Sequence, residues 1–99
     1  MSAAAVDKPA LPLPGNSRPL YPEMLRSAGI EGSALLRFVI DTTGRVEPQS
    51  VEVIRADQDL FASSARAALK QHRFLPAEAA GRKVRMLVEQ RFDFVLNGP

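Results

Sequence analysis

His72 is the only imidazole among 99 residues, and the chain has no cysteine. Disulfides, thiolate zinc sites and cysteine nucleophiles are therefore excluded by composition. A Ser/His/Asp assembly would have to use His72, and no serine stands in a strand–turn–helix elbow. One histidine among scattered carboxylates has no metal-ligand spacing. Gly29-Ile30-Glu31-Gly32 lacks the pattern of a phosphate-cradling loop. A small acyl-phosphate hydrolase would want such a loop beside an Arg/Asn pair, but the only asparagines, Asn16 and Asn97, lie near the two ends. His72 itself falls near the end of a helical pattern, just before Phe74, and reads as a half-buried or capping ring. No catalytic, cofactor or metal residue is assigned, and the chain is read as a non-enzyme.

The charges are the other chemically active feature. Thirteen Lys and Arg stand against eleven Asp and Glu, a net charge of +2. Arg66, Lys70, Arg73, Arg82, Lys83 and Arg85 gather in one stretch with only Glu78 among them. Such a patch attracts phosphates. Base stacking would need exposed aromatics, and Phe61, Phe74, Phe92 and Phe94 all fall on expected core faces, so no nucleic-acid partner is expected. The patch suits a solvated surface, an acidic protein or a cell-wall polymer.

These side chains must be carried by a small domain. Residues 1–18 hold Pro9, Pro12 and Pro14 and read as the extended end of a linker. Residues 19–97 read as one domain. Pro22 fits the first position of a short helix ending at Ala28, with Gly29 in the left-handed position that stops it. From Ala34 to Ile40 the apolar residues alternate, which predicts a strand with one core face. Asp41-Thr42-Thr43-Gly44 reads as a turn. Val46–Ile54 reads as the returning strand, with Pro48 at an edge or bulge. Asp57 or Asp59 caps a helix running from about Asp59 to His72. Val84, Met86, Val88, Phe92, Phe94 and Leu96 then alternate along a long last strand, with only Gln90 breaking the series. The fold class is α+β: a three-stranded antiparallel sheet of order 2-1-3, a short N-terminal helix, and a longer helix on one face. The last strand is an edge, a template for another strand, with Arg85, Glu89 and Arg91 blunting random pairing.

No apolar run reaches the ~18–20 residues that cross a bilayer, and Met1–Ala5 lacks the character of a signal peptide. Either the chain is cytosolic or it is part of a longer protein.

Several motifs in order resemble one family. They are Pro19-x-Tyr21-Pro22, Gly29-Ile30-Glu31-Gly32, Phe38-Val39-Ile40-Asp41-x-x-Gly44-Arg45-Val46, Leu60-Phe61…Ala65…Ala68-Leu69, Arg73-Phe74-x-Pro76-Ala77 and Phe92-x-Phe94. Over about residues 18–97 they resemble the TonB C-terminal domain of Gram-negative bacteria. The resemblance implies a periplasmic domain of an inner-membrane-anchored energy transducer. It would capture the TonB-box peptide of outer-membrane transporters by strand addition and pass on force from an inner-membrane motor complex reached through upstream segments. It implies peptide contacts at Arg18, Pro19, Leu20 and Tyr21 and along Val84, Arg85, Leu87, Glu89 and Arg91, with no cofactor. Arg18 replaces the glutamine of well-studied members, which bears on box preference toward acidic residues. His72 replaces a tryptophan found in many members. The family also includes monomers and strand-exchanged homodimers. An alternative role is a TonB-like interaction module of a sensor or peptidase-linked protein.

Overall fold

A computed structural model describes residues 6–96 of the chain. Residues 1–5 of the expected linker and Asn97 of the expected domain lie outside the described residues. The elements are β1 (Leu11–Pro12), α1 (Glu23–Ser27), β2 (Gly32–Ile40), β3 (Glu52–Ala56), α2 (Asp59–Leu69), β4 (Phe74–Leu75), β5 (Ala77–Ala79), β6 (Arg82–Val84) and β7 (Met86–Phe94). The α+β class read from the sequence is the one present. The main sheet has the order β3-β2-β7, antiparallel throughout, and β1-β4 and β5-β6 form two small ribbons.

The alternation along β2 decides where the core lies. Ala34, Leu36, Phe38 and Ile40 point to one face and are almost wholly buried, while their neighbours Leu35, Arg37 and Val39 are half-buried on the other. α2 covers the first face with Phe61, Ala62, Ala65 and Leu69. Met86, Phe92 and Phe94 of β7 are buried on this face too. Each fully buried large side chain contributes about 1.5–3 kcal/mol. No helix among the described residues is long and apolar enough to cross a membrane.

The β2 hairpin turn is fixed by Asp41. Its Oδ1 accepts hydrogen bonds from the Thr43 hydroxyl at 2.6 Å, the Thr43 N–H at 2.8 Å and the Arg45 N–H at 3.0 Å. The Thr43 hydroxyl, followed by the backbone donors and the Arg45 charge, holds the Asp41 carboxyl below its ordinary value of 3.8 against an opposing effect of burial. A carboxyl depressed in the folded state stabilises above its unfolded pKa, and the gain is lost as pH falls through the folded value. Thermal melts from about pH 5 to about pH 2 should therefore fall less steeply for Asp41→Asn than for the wild type. Parallel curves would remove Asp41 from the acid response. Gly44 follows at φ +88°, and its carbonyl accepts the Phe74 N–H at 2.8 Å.

Several boundaries differ from the sequence expectation for physical reasons. Pro22 is extended and caps α1 from outside rather than opening it. Gly29 does hold a left-handed φ of +69°. The returning strand is split. Val46 makes an isolated bridge with Ile40, Pro48–Ser50 form a 3-10 turn, and only then does β3 begin. Pro48 has no N–H to offer a ladder, and the Ser50 hydroxyl instead accepts the Val39 N–H at 2.9 Å. Neither Asp57 nor Asp59 caps α2, because Gln58 holds that position and Asp57 accepts the Ser33 N–H at 2.8 Å. α2 stops at Leu69, not His72: the N–H groups of Lys70, Gln71 and His72 bond three residues back and tighten the last turn. The last strand is shorter than Val84–Leu96, since Val84 belongs to the β5-β6 ribbon around the turn at Ala80 and Gly81.

Residues 7–17, expected as linker, run along the domain as a strap. Asp7 and Lys8 donate to the Glu78 carbonyl, β1 pairs with β4, and the Leu13 N–H meets the Arg73 carbonyl at 2.9 Å. Asn16 is held by both main-chain groups of Arg73, at 2.8 and 2.9 Å.

Candidate functional site

The direction of the β2 backbone decides which groups of β7 are spare. Val39 donates to Ser50 and accepts the Glu47 N–H, and Ser33 donates to Asp57 Oδ2 and accepts the Asp57 N–H. Odd-numbered residues of β2 therefore turn their main-chain groups toward the β3 side. The even ones turn toward β7, because successive residues in a strand alternate. In the register Gly32↔Phe94 to Ile40↔Met86, the even-numbered residues of β7 complete that ladder. The N–H and C=O groups of Leu87, Glu89, Arg91 and Asp93 point to the outer edge, and among the described residues no main chain pairs with them. The side chains of the same four residues are exposed on the face away from α2.

A groove of about 440 Å³ opens where this edge meets the segment before α1. Arg18, Pro19 and Tyr21 form one wall, and Arg91 to Val95 the other. Tyr21 anchors its wall. Its ring meets Phe61 and Phe94 edge-on at 5.7 and 5.8 Å, while those two stack at 4.3 Å. Its hydroxyl donates to the Ile30 carbonyl. Burial, then the nearby Glu31 charge, pushes the phenol pKa up. The Leu20 carbonyl accepts the Ser64 hydroxyl, and the Leu20 side chain is left 85% exposed.

His72 holds the preceding turn of chain. It is buried, with Nε2 2.9 Å from the Ser17 carbonyl. A carbonyl only accepts, so Nε2 is the donor. Nδ1 is buried without a partner among the described residues. Phe74 and Phe92 stand near the ring at 6.4 and 6.1 Å. This is a packing position with one anchoring bond. No group of three or more metal-ligating side chains is formed among the described residues.

Of the residues named from the sequence, Arg18, Pro19, Tyr21 and Arg91 line the groove; Leu87 and Glu89 continue its edge. Leu20 faces a second hollow, against Ser64, Ala67, Ala68 and Gln71 of the α2 side. Val84 and Arg85 stand apart. Val84 pairs with Ala77, and Arg85 binds Glu47 through two bonds of 2.6 and 2.8 Å. Asp93, Phe94 and Val95 also line the groove but were not among the expected contacts. The period-2 alternation that exposed Arg91 runs on to Asp93 and Val95 and was the available signal.

The groove is mildly cationic. Arg91 lies 2.8 Å from Asp93, whereas Arg18 has no carboxylate partner among the described residues. An edge with spare main-chain groups, an aromatic-braced wall and one uncompensated cation suits an extended peptide.

A family model described as the Gram-negative bacterial TonB protein C-terminal matches residues 17–96. Among solved structures, the chain is similar to the solution NMR structure of the Pseudomonas aeruginosa TonB CTD. The TM-score is 0.76 at 27% identity, covering 100% of this chain and 96% of that one. No curated protein matches the sequence.

Proposed function

Because the chain belongs to the Gram-negative bacterial TonB protein C-terminal family, we propose that it is the periplasmic end of an energy transducer. It captures the TonB-box peptide of an outer-membrane transporter as an added strand on β7. The observation that supports this most directly is the outward row of main-chain groups at Leu87, Glu89, Arg91 and Asp93 beside Arg18–Tyr21. Main-chain pairing tolerates many sequences, so one domain can serve several transporters. Each net hydrogen bond is worth roughly 0.5–1.5 kcal/mol, which makes capture of a short peptide reversible. In this reading the chain N-terminal to the domain leads to an inner-membrane anchor and motor complex, and the captured strand carries their force to the transporter. A second copy offering its own β7 is the competing occupant of the same edge.

Titration of the labelled domain with TonB-box peptides tests the proposal. Amide shifts should concentrate on Arg18, Leu20, Tyr21 and Leu87–Val95 and saturate between micromolar and millimolar peptide. A folded domain whose β7 amides no box peptide moves would leave the transducer reading without support. Edge shifts that depend on protein concentration alone would assign the edge to a second copy.

A further inference from the structure

A second surface stands at the other end of the main sheet, where the Asp41–Val46 turn meets the chain after α2. Arg45 bridges Arg73, and on the other side of Arg73 the Leu13 N–H binds its carbonyl. β1 and β4 continue this ribbon with Leu11 opposite Leu75. Phe74 points into the core, so Arg73 and Leu75 point outward. Directly opposite residues share a face, which places Arg45, Leu13 and Leu11 there with them. Leu11 and Leu75, directly opposite in the ribbon, are 52% and 53% exposed.

Beside this row, Arg45, Lys70 and Arg73 line a hollow of about 360 Å³ together with Asp41 and Glu47. Both carboxylates are already engaged. Glu47 is gripped by Arg85, and Asp41 is taken up by three donors of its own turn. Counting Arg85, four cations face two carboxylates, which leaves two positive charges in excess. A smaller hollow, with Val46, Pro48, Val51 and Leu69 in its wall, shares Lys70.

We propose that this face docks on an anionic phospholipid surface, with Arg45, Lys70 and Arg73 at the phosphates and Leu11 and Leu75 in the headgroup layer. Cations flanked by exposed aliphatic side chains are the arrangement that binds an anionic leaflet in its interfacial plane. No aromatic side chain is exposed in the row to anchor a protein partner. The surface is separate from the β7 groove, and the proposal does not depend on peptide capture.

Cosedimentation of the full chain with phosphatidylcholine vesicles, with and without phosphatidylglycerol, is the test. Binding should require phosphatidylglycerol and fade as salt rises past physiological strength. The double variant Arg45→Gln/Lys70→Gln should partition about thirtyfold more weakly, about fivefold per cation removed. Leu11→Ser/Leu75→Ser should weaken binding while keeping the salt dependence, with an amide spectrum confirming that each variant folds. The lipid and salt arms need no variant. Equal binding to neutral and anionic vesicles, or no binding to either by the folded wild type, overturns the proposal. Binding to polyglutamate without binding to vesicles would overturn it in favour of an acidic protein partner.

Discussion

Gly44→Ala is expected to cost about 3–5 kcal/mol of stability, the range of severe backbone and overpacking defects. Two effects add. At φ +88° an alanine is strained before any contact is counted. A Cβ built on Gly44 would also lie 1.9 Å from the Phe74 carbonyl oxygen, well inside any tolerable contact. The obstacle is main chain, so no rotamer change relieves it. Relief requires the Asp41–Val46 turn to lift away from Phe74. That movement breaks the Phe74 N–H bond to the Gly44 carbonyl and disturbs the Arg45↔Arg73 bridge. Differential scanning calorimetry should show a fall in Tm of roughly 12–40 °C, since about 1 kcal/mol moves a domain of this size by roughly 4–8 °C. A fall of only a few degrees would mean that the turn is not clamped to the chain after α2.

Glu89→Pro should weaken peptide capture at least tenfold and leave the fold standing. The Glu89 N–H faces the outer edge of β7, so the ladder to β2 loses nothing when proline removes it. A carbonyl of the incoming strand loses its N–H donor, and the strand meets the pyrrolidine ring. Affinity for a box peptide should fall at least tenfold, about 1.4 kcal/mol or more. The substitution also removes the pair with Arg37 at 2.8 Å, an exposed contact worth about 0–1 kcal/mol. Glu89→Ala separates the two effects: it should bind nearly as the wild type does. Val88→Pro is the inverse control. The Val88 N–H faces β2, and proline there removes a ladder hydrogen bond and should destabilise the domain far more than Glu89→Pro does. Peptide titration and thermal melts on the three variants decide the matter. If Glu89→Pro binds peptide as tightly as the wild type, β7 is not the edge being used.

Much of this fold was legible because periodicity and burial agree. Ala34 to Ile40 and Met86 to Phe94 alternate cleanly, and the structure buries the faces that the alternation marks. Asp41 and Gly44 announced their turn through side-chain chemistry, and Gly29 its left-handed stop. Less legible were elements whose residues carry no pattern of their own. Ala77–Ala79 and Arg82–Val84 are three residues each, too short for alternation to register. The strap has no apolar period, and its bonds run from main chain to main chain, which no side chain advertises. The same reason limited the site. The family motif points to Arg18 and Tyr21 and the strand alternation to Arg91, and all three line the groove, but the alternation also runs back through Arg85 and Val84, beyond the physical start of β7. The demand of Glu47 for a cation, met by Arg85, is a tertiary fact. Asp57 shows the same conflict: its side chain suits a helix cap, and Ser33 across the sheet takes it first.

The strap gives the molecule a direction. Its bonds are strung in chain order, from Asp7 and Lys8 on Glu78, through Leu13 and Asn16 on Arg73, to Ser17 on His72. A load that lifts the N-terminal end meets them singly, each worth roughly 0.5–1.5 kcal/mol, whereas a strand lying along β7 would be dragged sideways against all its bonds together. The two attachments thus differ in kind, one a zip fastener and the other a lap joint. Under rising tension the zip opens first, and peeling residues 7–17 lets out about 35 Å of chain at roughly 3.3 Å per residue. For the transducer proposed above, such an order of opening would supply slack on the N-terminal side before the sheet itself felt the pull.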